Sequence, residues 1–237
     1  MNVFFKKNTL KYVITLMTFL LTISAAAAKS AINSNRTNTS QWKQVEIIIF
    51  SKFNTKALLS EQWQTPSSIP DIRNITVLNS YQGIADNAPS PQALPPHFFQ
   101  LQKVVNRLQS NGYMIILHTA WLENFAQQLT NPIQLVGGQV WRKSFLGSIN
   151  ELNGTIDIRS NRFFTVKVDL LLIEPLSQFT SFITKENIEK NFYNISNNMA
   201  YFTIDQQRRV NADELNYFDH PLFGMLLKVT YFKDNIN

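Results

Sequence analysis

The side chains able to carry out chemistry are few in this chain. It has three histidines, His97, His118 and His220, and no cysteine. Without thiols there can be no disulfide, no thiolate metal site and no cysteine nucleophile. None of HExxH, GxSxG, GxxxxGK[ST] or GxGxxG occurs, so the common metalloprotease, serine-hydrolase, P-loop and dinucleotide signatures are missing. His118 closes an apolar run, where a hydrogen-bonded structural histidine is a stronger reading than a catalytic one. Asp219-His220 offers two metal ligands, but Pro221 follows, and the trio reads better as a fixed turn with a side-chain cap. Carboxylates are plentiful, yet no spacing singles out the acid and base pair that glycoside cleavage needs. The expectation is a non-enzymatic protein with no metal and no cofactor.

Binding chemistry is better represented. Trp42, Trp63, Trp121 and Trp141 fall in or near expected loops, and aromatic faces can stack on sugar rings, although filling a core is the commoner use. Arg208 and Arg209 are adjacent in an expected strand and must point to opposite faces, so one of them should be partly buried. A guanidinium fork suits a ligand carboxylate, and it equally suits an internal pair with Asp213 or Asp219. Trp63, Arg208, Arg209, Asp219 and His220 are therefore the candidate binding residues, Asp219 and His220 chiefly as shapers of their turn.

The elements that must position them follow a leader. Lys6, Lys7 and Lys11 precede an apolar run from Tyr12 to Ile23, then Ser24 and four alanines. This is the pattern of a secretory signal over residues 1–28, cut after Ala28. A run of twelve residues falls short of the ~20 that a membrane span requires, so no membrane insertion is expected after cleavage. Residues 29–41 are small and polar and read as a flexible tether; residues 42–237 read as one domain. Without the three leader lysines, 22 Lys and Arg against 16 Asp and Glu become a net charge of only +3. No concentrated basic patch speaks for nucleic acid.

Within the domain, Val45–Phe50 is a continuous apolar, β-branched run and predicts a central strand covered on both faces. Glu46 inside it must find donors or sit at a rim. Prolines 66, 70, 89, 91, 95 and 96 then break up the stretch to Pro96, where only short elements are expected. Pro95-Pro96 open a helix whose Phe98, Leu101, Val104, Val105 and Leu108 share a face and which stops at Asn111-Gly112. Tyr113–His118 predicts a second buried strand, Thr119–Gln128 a short helix, and Gly137-Gly138 a turn. Alternation over Leu152–Ile158 and Phe164–Leu172, around Ser160-Asn161, predicts an antiparallel hairpin with one wetter face. Residues 184–198 read as a polar helical turn or loop. Tyr201–Val210 and Met225–Phe232 read as a further pair of strands. The fold class expected is α+β, mainly antiparallel sheet with one principal flanking helix, starting from a split β-α-β unit.

Several of these segments resemble a known family. Gln207–Val229, and above all Tyr217-Phe-Asp-His-Pro-Leu-Phe-Gly224, is similar to the closing signature of the CsiV family of periplasmic peptidoglycan-binding proteins. Trp42 with Val45–Phe50 and Trp63, then Gly112-Tyr113 through His118 to Trp121, then Leu152–Ile156, Arg162–Phe164 and Asp169-Leu170, resemble its other motifs in order. One departure stands out: Arg162-Phe163-Phe164-Thr165 occupies the place of an Arg-Tyr-Leu-His run, so a family histidine is missing. The resemblance implies a periplasmic protein that binds peptidoglycan and supports wall synthesis and cell shape, with envelope proteins that regulate peptidoglycan synthases as further partners. In that setting a guanidinium would meet muropeptide carboxylates. The alternative is a protein–protein adaptor of the envelope with no glycan affinity, docking through its Pro-rich segment 64–96.

Overall fold

The computed structural model describes residues 41–64, 66, 70–85, 87–127, 129–144, 147–193 and 198–232. The expected leader and nearly all of the tether lie outside the described residues. Strand β1 (Trp42–Ser51) is buried along its whole length. Its odd residues Val45, Ile47 and Ile49 enter the main core, while Ile48 and Phe50 on the opposite face pack with Leu101 and Val105. An apolar run without alternation is what a strand covered on both sides requires, so the central-strand expectation holds.

Further along the chain come β2 (Trp63–Gln64), β3 (Asn79–Ser80), β4 (Gln92–Ala93), β5 (Met114–Asn124), β6 (Ile133–Ser144), β7 (Gly147–Ser160) and β8 (Phe164–Pro175). They are followed by β9 (Phe192–Tyr193), β10 (Met199–Val210), β11 (Leu215–Asp219) and β12 (Phe223–Tyr231). A six-stranded sheet runs β11-β12-β1-β5-β4-β3 and a four-stranded sheet runs β10-β8-β7-β6; β2 and β9 form a small parallel pair. The main core lies between the two large sheets, where Val45, Ile47 and Ile49 meet Val166, Val168 and Leu170 of β8. The mainly antiparallel α+β expectation is met.

The helices are α1 (Thr55–Leu58), α2 (Gln102–Ser110) and α3 (Lys185–Asn191), with 3-10 turns at Pro96–Phe98 and Leu176–Ser181. The longest, α2, starts later than expected, because Pro95-Pro96 lead into the 3-10 turn rather than the helix itself. Phe98 consequently leaves the helical stripe and joins a second cluster with Trp42, Leu94 and Leu122. Residues Leu101, Val104, Val105 and Leu108 keep to the stripe, each large side chain contributing roughly 1.5–3 kcal/mol when fully buried.

The start of α2 is fixed from outside. Glu46, 2% exposed, accepts the N–H of Gln100 at 2.7 Å and of Leu101 at 2.9 Å, and lies 2.8 Å from His118 Nε2. The odd carboxylate of β1 has thus found its donors, and His118 is the structural histidine expected. This anchor also decides topology. With Leu101 held at Glu46 and Lys52 Nζ donating to Asn111 O at 2.9 Å, α2 runs alongside β1 towards its end. The chain can then only return, so β5 pairs with β1 antiparallel, Ser51 opposite Met114. The split β-α-β unit expected from the element order is therefore not the arrangement formed.

Other expectations need correction. Thr119–Gln128 is no helix: β5 continues to Asn124, because Ala120, Trp121 and Leu122 are buried on both faces of the sheet. Trp121 and Trp141 stand inside long strands rather than near loops, while Trp42 and Trp63 open their strands. Gly137-Gly138 makes a bulge within β6, not a chain reversal. Gly138 has φ +72°, and a Cβ there would meet the Glu151 carboxylate, which accepts Gln139 N–H at 2.7 Å. β10 and β12 do not pair as expected: β10 joins β8, while β12 lies between β1 and β11, a strand formed within the segment that links β10 to β12. The β7–β8 hairpin has the expected faces, with Phe164, Val166, Val168, Leu170 and Leu172 buried. Part of the Pro-rich stretch is also packed rather than free. Tyr81, Ile84 and Ala88 cover the second cluster, and the buried Gln92 side chain serves Gln82 N and Gly83 O.

Candidate functional site

His220 stands on the wall between two neighbouring cavities. The larger, about 480 Å³, opens between β2 and the edge strand β10, with Trp63 and Glu61 on one side and Asp169, Tyr201 and Asp205 on the other. The smaller, about 210 Å³, is lined by Phe50, Lys52, Tyr113, Tyr217, Asp219 and Phe223, among others.

The smaller cavity is an aromatic cleft. The ring of Tyr217 stacks on Phe50, with centroids 6.1 Å apart and planes 10° apart, and Tyr113 meets Phe50 edge-on at 5.3 Å. Lys52 Nζ sits 4.7 Å above the Tyr113 ring. Gly224 makes this possible. It lies opposite both Phe50 and Asp219 in the ladder, and a Cβ on it would stand 2.5 Å from Tyr217 Cε2. The tyrosine ring therefore crosses the bare glycine to reach Phe50, leaving Tyr217 43% exposed. Partial burial, together with a hydrogen bond to Asp219, raises its phenol above the ordinary range.

His220 is a neutral wedge. Its Nδ1 accepts the N–H of Leu222 at 3.2 Å, the side-chain cap expected for this turn. Its ring lies 5.5 Å from Trp63 and 5.0 Å from Phe223. Burial among these rings pushes its pKa down to about 4, against the opposing pull of Asp219. In the larger cavity, Asp169 and Asp205 face each other directly across the β8–β10 ladder. Burial, then the Asp205 charge, raises the carboxyl of Asp169. Among the described residues no three such side chains gather into a metal-holding group.

The five candidates are only partly brought together. Trp63, Asp219 and His220 meet around the two cavities. Trp63 is 6% exposed, donates its Nε1–H to Leu58 O at 2.8 Å and meets Phe202 edge-on, so it supports the wall instead of offering a free face. Both arginines are exposed, contrary to the expectation that one is partly buried, and neither forms an ion pair with Asp213 or Asp219 among the described residues. Arg208 donates to Tyr217 O at 2.6 Å and to Gln206 Oε1 at 2.7 Å. Gln206 donates to Asp219 O at 2.9 Å. These two side chains join the edges of the two sheets, which gives Arg208 a structural task. Arg209 lies apart, in a third cavity. Phe50, Lys52, Tyr113 and Tyr217 were not singled out from the sequence. The readable signal was Tyr217 ahead of Gly224 across a His-Pro turn, an aromatic facing a bare position.

Segments far apart in the chain thus converge on one cleft: the end of β1, the start of β5 and the β11–β12 hairpin. The profile of the CsiV family, described as peptidoglycan-binding protein, matches residues 13–232. The chain belongs to the CsiV family. That match spans both large sheets and both cavities around His220. The CsiV assignment rests on the profile alone, since no curated protein and no solved structure matches the chain. Among the described residues of this CsiV chain, no helix is long and apolar enough to cross a membrane.

Proposed function

We propose that this protein is a non-catalytic periplasmic module that binds peptidoglycan at the cleft of Tyr113, Tyr217 and Asp219, and thereby supports wall synthesis and cell shape. The observation that carries this reading is the half-exposed Tyr217 ring, held flat against Phe50 by Gly224 and bordered by polar groups. A pyranose presents an apolar C–H face that packs on such a ring, while Lys52, Asn54 and Asp219 supply donors and acceptors for its hydroxyl and acetamido groups. Family membership supports the substrate class. The leader over residues 1–28, cut after Ala28, delivers the remaining chain to the compartment that holds this polymer, and envelope proteins acting on peptidoglycan synthases are the partners of such a module.

Co-sedimentation of the purified protein with isolated sacculi tests this. The wild type should pellet with sacculi across a range of salt, and Tyr217→Ala should pellet at least tenfold less while keeping its melting temperature within a few degrees. Recovery of the wild type in the supernatant at every salt concentration would overturn the reading. Muropeptide mass spectra should stay unchanged after incubation, and cell fractionation should find a shortened chain in the periplasm.

A further inference from the structure

The turn between β7 and β8 carries a second feature that the aromatic cleft does not use. Arg162 and Arg209 come from distant parts of the chain, yet both guanidinium groups face the ring of Phe163, with Cζ at 5.6 Å and 5.9 Å from its centroid. With Asn161 and Thr165 they line a cavity of about 290 Å³. Phe163 is 46% exposed, so its ring is open to a ligand from solvent. Register explains how Arg209 arrives: it stands directly opposite Thr165 on the outer face of the four-stranded sheet. The neighbouring Arg159, opposite Thr165 on the other side, is already engaged by Asp157 at 2.9 Å. Arg162 and Arg209 have no carboxylate partner among the described residues.

Two unneutralised guanidiniums beside an exposed ring suit an oxyanion with a small apolar group attached. The rest of the same face decides what kind. Moving along β8 from Thr165, the next outward residues are Lys167 and then Asp169, and Asp169 faces Asp205. The face therefore turns acidic about 13 Å from the arginines, four residues at roughly 3.3 Å each. An anionic membrane or an extended polyanion would meet repulsion there, whereas a single carboxylate in the cavity would not.

We infer that Arg162, Phe163 and Arg209 form a site for the C-terminal carboxylate of a short peptide ending in a small apolar residue, such as the alanine-terminated stem of peptidoglycan. The carboxylate bridges the two guanidiniums and the terminal methyl group rests on Phe163. The naming of peptidoglycan as the source rests on the proposed function; the carboxylate chemistry does not.

The test is an NMR titration of the protein, as its cells produce it, with N-acetyl-L-lysyl-D-alanyl-D-alanine and with its C-terminal amide. The acid should shift the Arg162 and Arg209 Nε–H resonances saturably, and the amide should bind at least tenfold more weakly. Arg162→Gln and Arg209→Gln should each weaken the acid at least fivefold with the spectrum otherwise folded, while Lys103→Gln, at an exposed position on α2, leaves it unchanged. No saturable shift, equal binding of acid and amide, or inorganic phosphate binding as tightly as the peptide would each overturn the site. Sacculus co-sedimentation in parallel separates the two ideas. Sacculus binding without peptide binding removes this site and leaves the proposed function standing. Peptide binding without sacculus binding does the reverse.

Discussion

The Nε2 of His118 lies 2.8 Å from Glu46 Oε1, joining neighbouring strands β5 and β1 through a carboxylate that is almost wholly buried. The same carboxylate accepts two backbone N–H groups at the entrance of α2. Replacing Glu46 by Ala leaves all these donors without their acceptor. The expected loss is about 3–5 kcal/mol of unfolding free energy, the cost of leaving several buried donors unsatisfied. His118→Ala removes only one donor and should cost about 1–2 kcal/mol. Urea unfolding of the two variants checks the ranking, and equal losses would count against the anchor.

Gly224→Ala probes the cleft without touching a side chain that would contact ligand. The new methyl group occupies the space of Tyr217 Cε2. The ring must leave Phe50, so stability should fall by about 1–3 kcal/mol and sacculus binding should fall with it. Retention of full binding would show that Tyr217 acts without this support.

Glu123 is 2% exposed and accepts the indole N–H of Trp121 at 2.9 Å. Burial raises its pKa from 4.5 to about 7 despite that hydrogen bond. Between these values the folded chain holds a proton that the unfolded chain has released. Its contribution to stability is therefore fully present below about pH 4.5 and is lost as pH rises through about 7, amounting to as much as about 3 kcal/mol. Glu123→Gln should remove this slope, seen by comparing melting temperatures of variant and wild type between pH 4.5 and 8.

His220 works in the opposite sense. Its folded pKa of about 4 lies below the ordinary 6.5, so the unfolded chain takes up a proton first as the solution is acidified. Its contribution is complete above pH 6.5 and is lost as pH falls towards 4. An NMR titration of the imidazole should find it neutral at pH 6. Sacculus binding should then show no step attributable to His220 between pH 5.5 and 7.5.

Arg208 and Arg209 should separate cleanly. Arg208→Ala loses the bond to Tyr217 O across the sheet edges and should cost about 1 kcal/mol. Arg209 lies over the Phe163 ring and forms no ion pair among the described residues, so Arg209→Ala should stay within about 0.5 kcal/mol of wild type by thermal unfolding.

What the sequence disclosed was local periodicity. The β7–β8 hairpin could be read because Val166, Val168 and Leu170 alternate with wetter residues, a pattern set by one buried face. Trp121 misled because Ala120–Leu122 is buried on both faces, which removes the alternation that distinguishes a strand from a helix. The partners of β10 and β12 were not legible at all, since two alternating strands do not record which sheet each will join. The site followed the same division. His220-Pro221 announced a turn, but the role of Tyr217 depends on lying across Gly224, a relation between strands that no spacing in one strand contains. Arg209 was chosen for its charge, and its neighbour Phe163 was noticed only for what it replaces.

The union of β10 with β11 has a mechanical consequence. Elsewhere the two sheets are knit internally by backbone ladders; along this rim, among the described residues, the Gln206 and Arg208 side chains supply the hydrogen bonds between the strands. Breaking these two bonds costs on the order of 2 kcal/mol, against many times that for unzipping a ladder. The rim beside His220 is thus tied more lightly by hydrogen bonds than neighbouring strands are within either sheet.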